Sequence, residues 1–270
     1  MKKLMLMLVK MLPLPFTANM ARTDDFDDAL ATYQNGDYAT AFKLFKPLAE
    51  QGNTDAQYNL GLMYHTGQGV IQDYKEAVKW YRLSADQGYA LAQTNLGFMY
   101  GSGKGLKKDD KEATKWYRLA ADQGDAEAQN SLGWKYQNGK GVIEDDKEAV
   151  KWYRLAADQG NANAQHNLGL MYDDGEGVIQ DDKEAVKWYR LAAEQGHALA
   201  QNNLGLMYAT SRGVLQDDKK AHMWWNIAYA NGHDKADDNI KSITQRMTPA
   251  DISEAEDMAR QCLASNYQDC

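Results

Sequence analysis

Cysteine and proline are nearly missing from this sequence, with two of the first and four of the second in 270 residues. The two thiols, Cys262 and Cys270, exclude a disulfide-dense scaffold and leave too few ligands for a cysteine-held metal. Scarce proline removes the strongest helix breaker, and abundant Ala, Leu, Lys, Glu and Gln favour helices. Positive charge is not in excess either: 30 Lys and Arg stand against 38 Asp and Glu, a formal net charge of −8. That balance argues against a nucleic acid or an anionic membrane as partner, because neutralising phosphates needs clustered cations. The two signs are interleaved along the chain, the pattern of solvated helix faces.

Long hydrophobic runs are missing beyond the first twenty residues, so no stable membrane insertion is expected. In that opening stretch Lys2 and Lys3 precede Leu4-Met5-Leu6-Met7-Leu8-Val9, and small residues follow at Ala18-Asn19-Met20-Ala21. This is the plan of a secretory leader over residues 1–21, although Lys10 interrupts its apolar part. An exported chain would be periplasmic or secreted, and its cysteines, Cys262 and Cys270, would then pair as a disulfide that pins the C-terminus.

Catalytic signatures are missing too. No serine has a lysine three residues on, and there is no Gly-x-Ser-x-Gly, His-Glu-x-x-His or Gly-x-x-x-x-Gly-Lys. The Gly-x-Gly loops join helix to helix, unlike a dinucleotide fingerprint. Five histidines, His65, His166, His197, His222 and His233, are spread over several units and repeat positions, and the acidic run Asp173-Asp174-Gly175-Glu176 lacks the alternate-residue spacing of a calcium loop. No catalytic residue, cofactor or metal is therefore expected.

What the sequence does contain is a repeat. Gly52, Gly88, Gly124, Gly160, Gly196 and Gly232 recur every 36 residues, with Ala56, Ala92, Ala128, Ala164, Ala200 and Ala236 in the same register. Leu60-Gly61, Tyr64 and Trp80 recur with the same period through Leu204-Gly205, Tyr208 and Trp224. A period of this length denotes stacked supersecondary units. Within the first unit Ala56, Leu60 and Tyr64 form one helical stripe, Gly67-Gln68-Gly69 turns the chain, and Ala77, Tyr81 and Ala85 form a second stripe that Gly88 ends. Asp73 and Glu76, repeated at Asp109/Glu112, Asp145/Glu148 and Asp181/Glu184, fit a capping box at the start of the second helix. Gly61 lies inside a helix at a cost of about 1 kcal/mol, which close approach of a neighbouring helix would explain. No hairpin buries its apolar face alone, so neighbours must stack. The expected order is a capping hairpin over 22–52, five repeats over 53–232, and capping helices with the cysteine pair over 233–270.

The run Asp55-Ala56-Gln57-Tyr58-Asn59-Leu60-Gly61-Leu62-Met63-Tyr64, then Gly67-Gln68-Gly69-Val70, then Lys75-Glu76-Ala77-Val78-Lys79-Trp80-Tyr81, resembles the Sel1-like repeat (SLR) family, a relative of the tetratricopeptide repeat. The resemblance covers about residues 38–240. It implies an all-α, right-handed α-solenoid with the first helices inside, and a scaffold that binds a protein or peptide partner along its concave face. Two alternatives stand beside it: a cell-envelope enzyme of the β-lactam-hydrolysing type, which cysteine-rich relatives imply, and a regulator of a membrane sensor. In the fifth unit Ser211 replaces the first loop glycine and Lys220 the capping-box glutamate, and a looser loop is expected there.

Comparing units separates framework from freedom. On the side of the first helix away from the core stripe, one row reads Tyr58, Thr94, Asn130, His166, Asn202, and the next reads Leu62, Phe98, Trp134, Leu170, Leu206. A third reads His65, Gly101, Gln137, Asp173, Ala209. The apolar row is either packing between adjacent first helices or an exposed strip for a partner. Trp134 is the sharpest candidate anchor, because it comes with Lys135 where the other units have Met63, Met99, Met171 and Met207. The candidate partner-binding residues are Tyr58, Leu62, Phe98, Asn130, Trp134, His166, Leu170 and Leu206.

Overall fold

Most of the helices open on a short polar cap, an Asp, Asn or Thr whose side chain accepts from the first turn. The computed structural model describes residues 16–268 and 270, and among these there are fourteen helices and no strand. The leader expected over 1–21 lies largely outside the described residues. The chain divides into two compact units, Met1–Tyr89 and Ala90–Cys270. The first holds α1 (Phe16–Gln34), α2 (Tyr38–Glu50), α3 (Thr54–Thr66) and α4 (Tyr74–Asp86). The second opens with the hairpins α5 (Ala90–Ser102) with α6 (Asp110–Ala121), and α7 (Ala126–Gln137) with α8 (Asp146–Asp158). The pairs α9 (Ala162–Asp174) with α10 (Asp182–Ala193) and α11 (Ala198–Thr210) with α12 (Asp218–Ala230) follow, then α13 (Ala236–Thr244) and α14 (Pro249–Ala264). Thr248 caps α14 with Pro249 in its first turn, and a disulfide joins Cys262 to Cys270.

The core is the recurring stripe. In the first unit Ala56, Leu60 and Met63 pack with Ala41, Phe45 and Trp80. In the second, Ala128 and Leu132, Ala164 and Leu168, and Ala200 and Leu204 are fully buried. Trp116, Trp188 and Trp224 are buried as well. Gly61 sits against the flat ring of Tyr81, where a Cβ would come within 2.7 Å of Cδ1. Gly97 with Tyr117, Gly133 with Tyr153 and Gly169 with Tyr189 repeat this contact, and Gly205 meets Trp225. The close approach that the sequence demanded is thus made by an aromatic ring from the second helix of the same hairpin.

A relay of glutamines joins one hairpin to the next. Gln129 is buried, donates to Ala121 O at 3.2 Å, and accepts from Gln159 at 2.7 Å. Gln165 and Gln201 do the same with Ala157 and Gln195, and with Ala193 and Asn231. The amide bonds to Ala121, Ala157 and Ala193 add a second donor to helix-terminal carbonyls that already accept from Gly124, Gly160 and Gly196 N–H.

The capping box is only half realised. Asp73, Asp109 and Asp181 each accept from two backbone N–H groups of the helix they open. Their own N–H groups, however, go to Tyr64 O, Tyr100 O and Tyr172 O at 2.9–3.0 Å. The glutamates are left to ion-pair with a lysine three residues on, as in Glu76–Lys79 and Glu184–Lys187. Lys220 therefore removes nothing from the cap of α12, where Asp217 accepts from the Lys220 N–H at 2.9 Å. The loop of that repeat is not loose either. Ser211 takes the left-handed conformation of the glycine it replaces, at φ 59°, and Arg212 ties the loop to Asp182 and Asp173.

Candidate functional site

First helices place one side chain every three or four residues on the face opposite the core stripe, and the structure separates the candidates found there. Phe98, Trp134 and Leu206 are exposed, Trp134 at 45%, so in this unit the row is not consumed by packing between helices. Leu170 is half-buried against the core around α11. Asn130 is half-buried and accepts from Asn167 Nδ2 at 3.0 Å. In the first unit Leu62 is half-buried, and Tyr58 lies among the rings of Tyr81 and Tyr89.

His166 departs from its expected place on the open face. It is buried, stacks on His197 with ring centroids 4.7 Å apart, and packs against Tyr189. Burial, with the neighbouring His197, pulls its pKa down to about 4, and burial lowers His197 too. The histidines are thus not all isolated. Two meet because α9 and the start of α11 are adjacent, and no group able to hold a metal ion forms among the described residues.

Beside Trp134 lies a cleft of about 350 Å³, lined by Phe98, Gly101, Trp134 and Asn130 together with Lys108, Asp110, Lys135 and Lys140. Lys135 occupies the buried methionine position and is only 5% exposed. Its Nζ donates to Asp110 Oδ1 at 2.6 Å and lies 5.6 Å from the centroid of the Trp134 ring. Asp110 also faces Lys108 at 3.6 Å. The hydrogen bond from Lys135 holds the Asp110 carboxyl below the usual carboxylate range against the opposing effect of burial. Gly101 leaves room: a Cβ there would meet Lys135 Nζ at 3.6 Å. Burial pushes the Tyr117 phenol up to about 12, so it stays protonated, a hydrogen-bond donor on the cleft wall.

A Sel1 repeat family model matches residues 29–53, 54–89, 90–125, 126–161, 162–197 and 198–233. The chain belongs to the Sel1 repeat family. The first matched segment falls on the opening hairpin, α1 and α2. A protective antigen present in uropathogenic Escherichia coli strains, displaying an SLR fold, is similar at 35% identity and a TM-score of 0.79 over 93% of this chain. This chain spans 56% of that antigen's length. A Sel1 repeat protein from Oxalobacter formigenes is similar at 37% identity and a TM-score of 0.76, covering 88% of this chain and 99% of its own. Among proteins of curated function, none matches. No helix among the described residues is long and apolar enough to cross a membrane.

Two features of this Sel1 repeat chain escaped sequence reasoning. The Lys135–Asp110 pair was signalled only by Lys135 breaking the methionine column. A second exposed row, Ile143, Ile179 and Leu215, stands about 90% exposed in successive inter-helix loops. The recurrence of Val142-Ile143, Val178-Ile179 and Val214-Leu215 after each loop was its signal.

Proposed function

We propose that this chain is a binding scaffold of the cell envelope, periplasmic or secreted, which holds a protein or peptide partner on the exposed face of its first helices. The observation that carries the reading is the row Phe98, Trp134 and Leu206, large apolar side chains kept in solvent on helices whose other face is fully buried. A large aromatic beside a cleft is the usual anchor of a protein interface. The Cys262–Cys270 disulfide supports an oxidising compartment, because cytosolic thiols are held reduced. The role is one of binding, with no catalytic residue assigned.

Capture of partners from an envelope extract tests it. Trp134→Ala and Phe98→Ala should each lower the amount retained several-fold while helix content by circular dichroism stays that of the parent. Unchanged capture by both variants would remove the face from consideration.

A further inference from the structure

The repeats of the second unit build the same crevice three times, between the first helix of one hairpin, the start of its second helix, and the next hairpin. In the last copy the corners are Asp173, Asp182, Met207 and Arg212. Tyr189 donates to Asp173 Oδ2 at 3.1 Å, and Arg212 bridges Asp173 and Asp182, so the crevice is spanned and its charges are paired. In the middle copy the corners are Gln137, Asp146, Met171 and Glu176. Tyr153 donates to Gln137 at 2.8 Å, which donates on to Glu176 at 3.2 Å. That crevice is spanned too, and acidic enough that burial and the neighbouring carboxylates raise the pKa of Asp146.

The first copy is different at every corner but one: Gly101, Asp110, Lys135 and Lys140. Glycine removes the side chain that spans the other two copies. Lysine replaces a methionine, and a second lysine replaces the bridging residue. The result is the open cleft, whose charged lining is Lys108, Lys135, Lys140 and the single acid Asp110. This is a cationic pocket in a chain of net charge −8, with an aromatic wall beside it. An ammonium has three donor hydrogens, and Asp110 takes one from Lys135.

We infer that this cleft receives an acidic peptide segment of the partner, with a Glu or Asp carboxylate paired to Lys135 and an adjoining large apolar side chain laid on Trp134 and Phe98. The inference rests on the binding-scaffold reading and names the chemistry of what is bound. Charge complementarity selects the carboxylate, since a buried ammonium discriminates strongly between a charged and a neutral isostere. The 5.6 Å between the Lys135 ammonium and the Trp134 ring fits neighbouring residues of one peptide.

The test is a titration of the full chain with acetyl-Gly-Glu-Phe-Gly amide and with its neutral counterpart acetyl-Gly-Gln-Phe-Gly amide, followed by the Trp134 indole N–H resonance. The glutamate peptide should bind about tenfold more tightly, with an advantage that shrinks as salt is added. Lys135→Met restores the residue of four sister repeats, so it should fold. It should erase the preference while leaving the glutamine peptide's effect on Trp134 in place. Equal binding of the two peptides, a preference that survives Lys135→Met, or acetate and inorganic phosphate competing as well as the peptide would each overturn the inference. If the neutral peptide still shifts Trp134, the binding-scaffold reading stands even then, and it falls separately if Trp134→Ala leaves envelope capture unchanged.

Discussion

The stretch from α5 to α7 and the stretch from α9 to α11 share one plan and use it oppositely. Around α9 and α11 the charged corners of the crevice, Asp173, Asp182 and Arg212, are paired. Arg212 spans two aspartates, Tyr189 donates into the same cluster, and His166 stacks on His197 beneath. Around α5 and α7 the matching is undone by a missing side chain at Gly101 and a surplus of ammonium groups. Stability is therefore expected to concentrate in the closed copy, and the proposed ligand chemistry belongs to the open one. The difference shows that a repeat array can open one crevice without changing its frame, by altering a few of its corners.

The largest expected effect lies in the closed stretch and depends on pH. His166 is neutral when folded, with a pKa near 4, while an unfolded histidine titrates near 6.5. Between these values the unfolded chain binds more protons, so stability present above pH 6.5 is lost as pH falls towards 4, by about 3 kcal/mol in all. His166→Asn, which installs the residue of Asn130 and Asn202, should flatten that slope in denaturant titrations at pH 7 and pH 5. A slope unchanged in the variant would break the assignment. Next, Gly169→Ala should destabilise by about 2 kcal/mol, because its Cβ would meet the Tyr189 ring at 2.6 Å and the steric cost exceeds the gain in helix propensity. Arg212→Ala leaves Asp173 and Asp182 without their bridge. The guanidinium is about a third exposed, so screening holds the loss to about 1 kcal/mol, seen as a lower Tm that high salt partly restores.

The smallest effect should have the opposite sign. Gly101→Ala meets only ordinary contacts at 3.6 and 3.7 Å, so helix propensity alone decides, and the variant should gain about 0.5–1 kcal/mol. The same methyl intrudes on the cleft and should weaken the glutamate peptide. A stability loss comparable to that of Gly169→Ala would erase the contrast between the two stretches.

The frame was legible because a repeat reports itself: the glycines, alanines and tryptophans each recur in register, and local spacing alone assigns both helices of every hairpin. The site was legible only in part. Trp134 and Lys135 stood out by breaking two columns, but the meaning of Lys135 depends on Asp110 and Gly101, which lie on other helices. His166 was misplaced for a similar reason, since its partner His197 belongs to the next repeat. The glutamates of the supposed capping boxes were misread because the aspartate N–H is taken by a tyrosine carbonyl across the loop, a pairing no local motif announces.

The glutamine relay has an evolutionary corollary. Gln129, Gln165 and Gln201 each bond the end of the preceding hairpin and the end of their own second helix, and the relay is closed off where Asn231 meets the Tyr267 hydroxyl at 2.9 Å. A hairpin duplicated between α8 and α9 would find its carbonyls and amides already met on both sides. Gene-level copying could thus lengthen the molecule in whole steps, each new copy free to remodel its own crevice while the older ones keep the array standing.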